Sequence, residues 1–408
     1  MQQEAPTIAA EQRADRKLLI GGELRETPRT FPSVNPATGE VFGYAPDATV
    51  ADAQAAVTAA RQAFDHTDWS TNTELRVHCL EQLHRALVEN RDELAALTTT
   101  EVGATAALCA GAQLDGPIDI VRYYAELLRT YPLTEDLGNI ESRGMQHHRW
   151  VEKEAGGVVA AIIAYNYPNQ LALAKLAPAL AAGCTVVLKS APDTPLVTLA
   201  LGELIANHTD IPAGVVNVLS GADPEVGAVL TTSPDVDMVT FTGSTPTGRR
   251  IMAAASETLK KVFLELGGKS AAIVLDDADF NTAALFSAFS MVTHAGQGCA
   301  LTSRLLVPAK HKDEIVELIK EQLRPGALRR SHRSQDLHGA TDQREAARQG
   351  RRHGQARRRG RRHSGHRWRE GRPRLLLHPH SAGRCGPGQR DRPGRGLRAG
   401  AGRHRVRR

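Results

Sequence analysis

The chain has 408 residues and a formal net charge of +6. That average conceals two regimes: residues 1–323 carry 25 Lys and Arg against 40 Asp and Glu, and residues 324–408 carry 26 Arg, no Lys and 5 acids. An acidic body of this length can bury a large core over at least two domains, and it has no basic or aromatic platform for nucleic acid. Five cysteines with no C-x-x-C pair argue against a disulfide framework or a zinc site and suit a reducing compartment. The charged N-terminus lacks a signal-peptide core, and the longest apolar stretch, 171–188, is broken by Lys175 and Pro178. A cytoplasmic protein without a membrane span or bound metal is expected.

In chain order, residues 18–24 predict a short hairpin turning at Gly21-Gly22, and residues 35–40 predict a turn. A helix is predicted from Thr49, where Asp52 completes a capping box and Val50, Ala53, Val57, Ala60 and Phe64 keep a helical period. A second is predicted from Thr71, with Glu74 in the equivalent place and Leu80, Leu83 and Leu87 along one face. Residues 133–150 predict a polar hairpin or excursion. From Gly156 onward, apolar runs at 158–163, 185–188, 215–219, 238–241 and 271–275 predict strands buried on both faces. Helices near 170–182, 195–207, 224–231 and 245–256 separate them. The alternation predicts an α/β fold with a parallel, doubly wound sheet.

Residues 324–408 contain no Ile, Phe, Tyr or Met, and Arg and Gly supply 40 of these 85 residues. So little apolar area cannot offset the entropy of ordering, and a disordered tail is expected. Two origins are open. A GC-rich gene read out of frame from near 324–330 gives this composition and is the preferred expectation; a genuine basic arm is the alternative.

The segment Leu264-Glu265-Leu266-Gly267-Gly268-Lys269 precedes Gly296-Gln297-Gly298-Cys299, so a lone cysteine follows a carboxylate by 34 residues. A thiol nucleophile and a carboxylate that activates water are what covalent catalysis at a carbonyl requires. Each alone has a bland reading, as a surface glutamate before a turn or an inert buried cysteine. A third segment, Phe241-Thr242-Gly243-Ser244-Thr245-Pro246-Thr247-Gly248, follows a predicted strand and opens a predicted helix. Such a Gly-bounded turn lets backbone amides approach a pyrophosphate while the helix N-terminus complements its charge.

Over about residues 18–323 these motifs resemble the aldehyde dehydrogenase superfamily, in its hydrolytic branch. The resemblance implies a Rossmann-like cofactor domain over 1–257, with an oligomerisation hairpin near 133–150, and the first part of an α/β catalytic domain over 258–323. It implies Cys299 as nucleophile, Glu265 as the base for water, Asn166 in Ala164-Tyr165-Asn166-Tyr167-Pro168 as oxyanion donor, and Lys175 as a residue of proton movement. Ile163, Tyr165, Lys189, Gly221, Gly243, Ser244, Gly248 and Leu266 are implied to meet the dinucleotide. Pro192 stands where most members carry a glutamate for the ribose 2′-hydroxyl, which leaves NAD against NADP open with NAD preferred. The implied partner is a small aldehyde, oxidised to its acid; a homo-oligomer, dimer or tetramer, is implied as well, and nucleic acid is not expected. No Glu-x-Phe-Gly-Pro segment follows Cys299. The competing expectation is therefore a truncated chain that binds dinucleotide without turnover.

Overall fold

A computed structural model describes residues 13–324. The expected disorder and frameshift beyond Arg324 lie outside the described residues. The described chain opens with two antiparallel hairpins, β1 (Leu18–Ile20) with β2 (Glu23–Arg25) and β3 (Thr30–Val34) with β4 (Val41–Pro46). Five helices follow: α1 (Val50–His66), α2 (Thr73–Glu89), α3 (Arg91–Val102), α4 (Ala106–Cys109) and α5 (Asp115–Leu128). A further hairpin, β5 (Thr134–Ser142) with β6 (Met145–Glu152), stands out in solvent, every residue but Gly138 exposed.

The central alternation is β7 (Val158–Ile162), α6 (Pro168–Ala181), β8 (Thr185–Lys189), α7 (Pro195–His208), β9 (Val216–Leu219), α8 (Pro224–Thr232), β10 (Met238–Gly243), α9 (Thr245–Ala255) and β11 (Lys261–Leu266). A second small unit holds β12 (Ala271–Ile273), α10 (Phe280–Val292), β13 (Arg304–Leu306) and α11 (Lys312–Gln322).

The large sheet runs β11-β10-β7-β8-β9-β1-β2, its first five strands parallel and the hairpin of β1 and β2 added antiparallel. Helices α6 and α7 cover one face, with α2, α3 and α5 layered over them; α1, α8 and α9 line the other. Strands β8 and β9 are buried along their whole length, as their unbroken apolar runs require. From β7 the winding steps to β8 and β9 on one side and to β10 and β11 on the other. The reversal falls outside the carboxyl ends of β7 and β10, the usual ligand position in such sheets.

The capping box at α1 forms as the sequence predicts: Thr49 Oγ1 accepts from Asp52 N, and Asp52 accepts from Thr49 N. The start of α2 differs. Asn72, not Thr71, is its cap, because the Thr71 hydroxyl turns back to the Asp68 carbonyl while Asn72 Oδ1 accepts from Leu75 N at 3.0 Å.

The predicted strand at 271–275 is shorter and lies outside the large sheet, paired in parallel with β13. The place beside β10 is taken by β11, a strand with no continuous apolar run. Lys261, Phe263 and Glu265 alternate outward and Val262, Leu264 and Leu266 inward, so the large sheet continues past residue 257. The second unit has its own small core of Val274, Ala284, Leu305, Ile315 and Ile319. Around it, Ile273 and Phe286 are each 68% exposed and Leu275 is 63% exposed.

Candidate active site

Nine of the twelve residues singled out for chemistry lie at, or just past, the carboxyl end of a parallel strand. The exceptions are Lys175 on α6, Gly248 in the first turn of α9 and Cys299 on the loop between α10 and β13. The sheet therefore gathers one long line of groups along a single edge, with the winding reversal at its centre.

At the exit of β7, Ile163 is buried and its N–H donates to the Lys189 carbonyl at 3.2 Å, extending the ladder with β8. Tyr165 follows, its phenol pushed up to about 12 by burial and then by the Asp193 charge. Next comes Asn166, whose side-chain Nδ2 donates to the Gln297 carbonyl at 2.6 Å. Pro168, in the first turn of α6, ends the loop, a position where its missing N–H costs nothing.

The partner loop carries Cys299. His294, Ala295 and Gly296 hold φ of 49°, 51° and 76°, so three successive residues occupy the left-handed region before Gln297. Cys299 is exposed, whereas Cys79, Cys109 and Cys184 are buried. The Tyr167 phenol is pushed up by burial and then by the charge of Cys299.

Glu265 projects from the exposed face of β11 opposite Thr242 in the register. Lys175 is buried and its Nζ donates to Thr240 Oγ1 at 3.0 Å. Burial lowers the Lys175 ammonium to about 8, against the pull of the Glu265 carboxylate. The two groups thus share one electrostatic neighbourhood at the edge of the sheet.

At the other end of the line, Lys189 is buried with its Nζ donating to the carbonyls of Gly221 at 3.1 Å and Ser190 at 3.2 Å. Burial lowers it to about 8, opposed by Asp47 and Asp223. Beside it, the Ser190 hydroxyl is buried without a hydrogen-bond partner. A Cβ at Gly221 would stand 3.3 Å from the Ala48 carbonyl oxygen. Ser244 caps α9, its hydroxyl accepting from Thr247 N at 3.3 Å, and the Gly243 carbonyl accepts from Gly267 N at 3.2 Å. A Cβ at Gly248 would come within 2.8 Å of Leu266 Cδ2, so the first turn of α9 lies hard against the end of β11. A capped helix N-terminus, backbone crowded where a Cβ would intrude and an orphaned buried hydroxyl fit a dinucleotide along this edge.

Two residues absent from the sequence reading join the site. Gln113 Nε2 and His294 Nε2 both reach the Asn166 carbonyl oxygen, at 2.8 and 2.7 Å. Gln113 lies in the turn before α5, and neither residue forms part of a motif. Among the described residues no group of three or more His, Cys, Asp or Glu is placed to hold a metal ion.

The sequence model of the aldehyde dehydrogenase family matches residues 24–360. The chain belongs to the aldehyde dehydrogenase family. The match runs past residue 323, into the Arg-rich segment set apart by composition. The 3-succinoylsemialdehyde-pyridine dehydrogenase of a Pseudomonas species is 41% identical over 289 residues, covering 70% of this chain and 58% of that relative. Betaine aldehyde dehydrogenase 1 of Oryza sativa subsp. japonica is 40% identical over 307 residues, 72% of this chain and 59% of the relative. Among solved structures, the betaine aldehyde dehydrogenase of Staphylococcus aureus in complex with NAD+ superposes with a TM-score of 0.72 at 34% identity, over 76% of this chain and 61% of that one. An aldehyde dehydrogenase C variant from Pseudomonas syringae, solved with NAD+ and octanal, gives 0.68 at 34%, over 77% and 64%. This family member therefore spans about three-fifths of the length of the curated relatives it matches.

Proposed function

We propose that the chain oxidises an aldehyde to its carboxylic acid with a nicotinamide dinucleotide. The observation that carries the reading is the 2.6 Å bond from Asn166 to the loop of Cys299, formed at the reversal of the sheet. It ties a neutral amide donor to the loop that carries an exposed thiol. Only one of the two Asn166 amide hydrogens is spent on Gln297, so the other can face substrate.

In this reading the Cys299 thiolate bonds to the aldehyde carbon, and the electron pair of the carbonyl moves onto its oxygen. The free Asn166 N–H and the Cys299 backbone N–H hold that oxyanion; neither is titrated in doing so. NAD+ would accept the hydride that leaves the aldehyde carbon as the oxyanion pair re-forms the carbonyl; Lys189, Ser244 and the Gly243–Gly248 turn would hold it, with Ile163, Tyr165, Gly221 and Leu266 along its path. A thioester is left on Cys299. Glu265 takes a proton from water, the water oxygen bonds to the acyl carbon, and the thiolate leaves as the acid is released. Lys175, with its ammonium lowered to about 8, accepts the proton passed on from Glu265 in its unprotonated form. The nucleotide in this reading is NAD+, as in the Staphylococcus aureus and Pseudomonas syringae structures.

The large sheet serves as the cofactor unit and the smaller unit brings the nucleophile. A homo-oligomer is part of the same reading, supported by Leu137, Ile140, Trp150 and Val151, all exposed on the projecting hairpin. No helix among the described residues is long and apolar enough to cross a membrane. One observation favours a second reading, dinucleotide binding without turnover: Ile273, Leu275 and Phe286 leave the smaller unit with apolar groups in solvent.

Aldehyde-dependent NAD(P)H formation by the full chain separates the two. Turnover that disappears in Cys299→Ala supports oxidation. NADH binding with no turnover for any of a panel of aliphatic, amino and aromatic aldehydes selects the second reading.

A further inference from the structure

We infer that His294 and Gln113 form a positioning pair that aligns Asn166 with Cys299 by clamping the Asn166 carbonyl; the inference rests on Asn166 being the oxyanion donor proposed above. Both side chains are fully buried. Their nitrogens converge on one oxygen, at 2.7 Å from His294 and 2.8 Å from Gln113, and stand 3.1 Å from each other.

The protonation state follows from the geometry. A carbonyl only accepts, so the imidazole Nε2 must carry the hydrogen. Burial lowers the pKa of His294, which leaves the ring neutral at neutral pH with a bare Nδ1. That Nδ1 is buried without a partner, as is Gln113 Oε1. Two acceptors left unsatisfied in the core are costly, so this arrangement of donors is retained at the expense of stability.

The backbone shows the same bias. His294 is a non-glycine residue at φ 49°, ψ 40°, and Ala295 follows it at φ 51°. The left-handed turn drives the imidazole inward, where it stacks edge-on against Tyr167 with ring centroids 4.9 Å apart. The turn is closed by Gln297, whose N–H and side-chain Nε2 both donate to the His294 carbonyl, at 3.0 and 3.2 Å. The Gln297 carbonyl in turn accepts from Asn166. Asn166 is therefore held at both ends by one loop, its carbonyl through His294 and its amide through Gln297. Two residues later that loop delivers Cys299. The elements joined here, the exit of β7 and the loop after α10, come from different cores, and the clamp sets their register.

Two electrophiles distinguish positioning from bulk structure. Iodoacetamide alkylates a thiol by displacement and needs no oxyanion donor. With p-nitrophenyl acetate, Sγ bonds to the carbonyl carbon, charge passes through the carbonyl oxygen, p-nitrophenolate leaves and an acetyl thioester remains. Both rates are measured at Cys299 in the full chain by peptide mass spectrometry, with buried Cys79, Cys109 and Cys184 as internal reporters of unfolding. His294→Phe, which keeps the ring and removes the donor, is expected to slow acylation by about 10²-fold while alkylation changes by less than about threefold. His294→Gln restores a donor of similar reach and is expected to recover most of the acylation rate. Gln113→Leu gives a second, independent loss, and Asn166→Ala combined with His294→Phe is no slower than Asn166→Ala alone. Acylation that depends on Asn166 yet ignores His294 and Gln113 overturns the clamp. Equal changes in both rates overturn it too. Acylation indifferent to Asn166 sinks the oxyanion assignment, and the clamp with it.

Discussion

Asn166 and Gln297, 131 residues apart in sequence, meet at 2.6 Å through a side-chain amide and a backbone carbonyl. This bond joins the proposed oxyanion donor to the segment that bears the proposed nucleophile, Cys299. Removing the amide in Asn166→Ala is expected to lower kcat for aldehyde oxidation by about 10²–10³-fold, with KM nearly unchanged, since the donor acts on charge that develops only in the transition state. Steady-state kinetics checks it; a raised KM at constant kcat would assign Asn166 to ordinary substrate binding.

Gly248, on the proposed cofactor edge, leaves little room for a side chain. An added methyl group would lie 2.8 Å from Leu266 Cδ2 and 3.1 Å from Cδ1, so Gly248→Ala forces the Leu266 side chain aside at the end of β11. Because that side chain is flexible, the fold is expected to survive and the displaced group to intrude on the proposed nucleotide path. NADH affinity, followed by fluorescence titration, is expected to fall about tenfold, equivalent to about 1.4 kcal/mol. Unchanged affinity would place the dinucleotide elsewhere.

Glu101 on α3 makes the structure sensitive to pH at a distance from the site. Its carboxylate accepts the N–H groups of Leu196 and Val197, at the start of α7, at 2.9 and 2.8 Å, and the Ser33 hydroxyl at 2.7 Å. Burial still outweighs these bonds and pushes the carboxyl from 4.5 up to about 7. Between those two values the folded chain keeps a proton that the unfolded chain has lost. Stability therefore falls as pH rises through this window, by on the order of 3 kcal/mol across its full span. Denaturant unfolding at several pH values checks the sign, and Glu101→Gln should flatten this contribution. A wild-type stability that rises across the same window by the same residue's titration would reverse the assignment.

The part of the fold legible in sequence is the part encoded locally. Thr49 and Asp52 announce α1 because both halves of a capping box lie within one turn. Strands β8 and β9 announce themselves by apolar runs that only a doubly covered sheet explains. By contrast α3 and α5 begin without a side-chain cap, and residues 91–128 offer little to read. The edge strand β11 alternates like a half-exposed element and lacks the signature of its neighbours. Cys299, Glu265 and Asn166 were visible as members of motifs. His294 and Gln113 were not, since their contact spans 181 residues and depends on a left-handed turn that neither residue type demands.

The smaller unit supplies a prediction about solubility. Ile273 and Phe286, each 68% exposed, flank a core of only a few buried side chains. Exposed apolar groups of this kind promote association and bind apolar dyes. Ile273→Ser combined with Phe286→Ser should lower both dye fluorescence and the apparent mass by light scattering, without altering NADH affinity. Equal dye binding by variant and wild type would show that these side chains are covered in solution.

The measurement that bears most directly on the proposed chemistry is the mass of the Cys299 peptide from Glu265→Gln after incubation with aldehyde and NAD+. With the water-activating base removed, the acyl group should accumulate on Cys299, close to one per chain, only when both aldehyde and NAD+ are present. No acyl adduct under these conditions, or an adduct that forms without NAD+, would contradict oxidation through a Cys299 thioester.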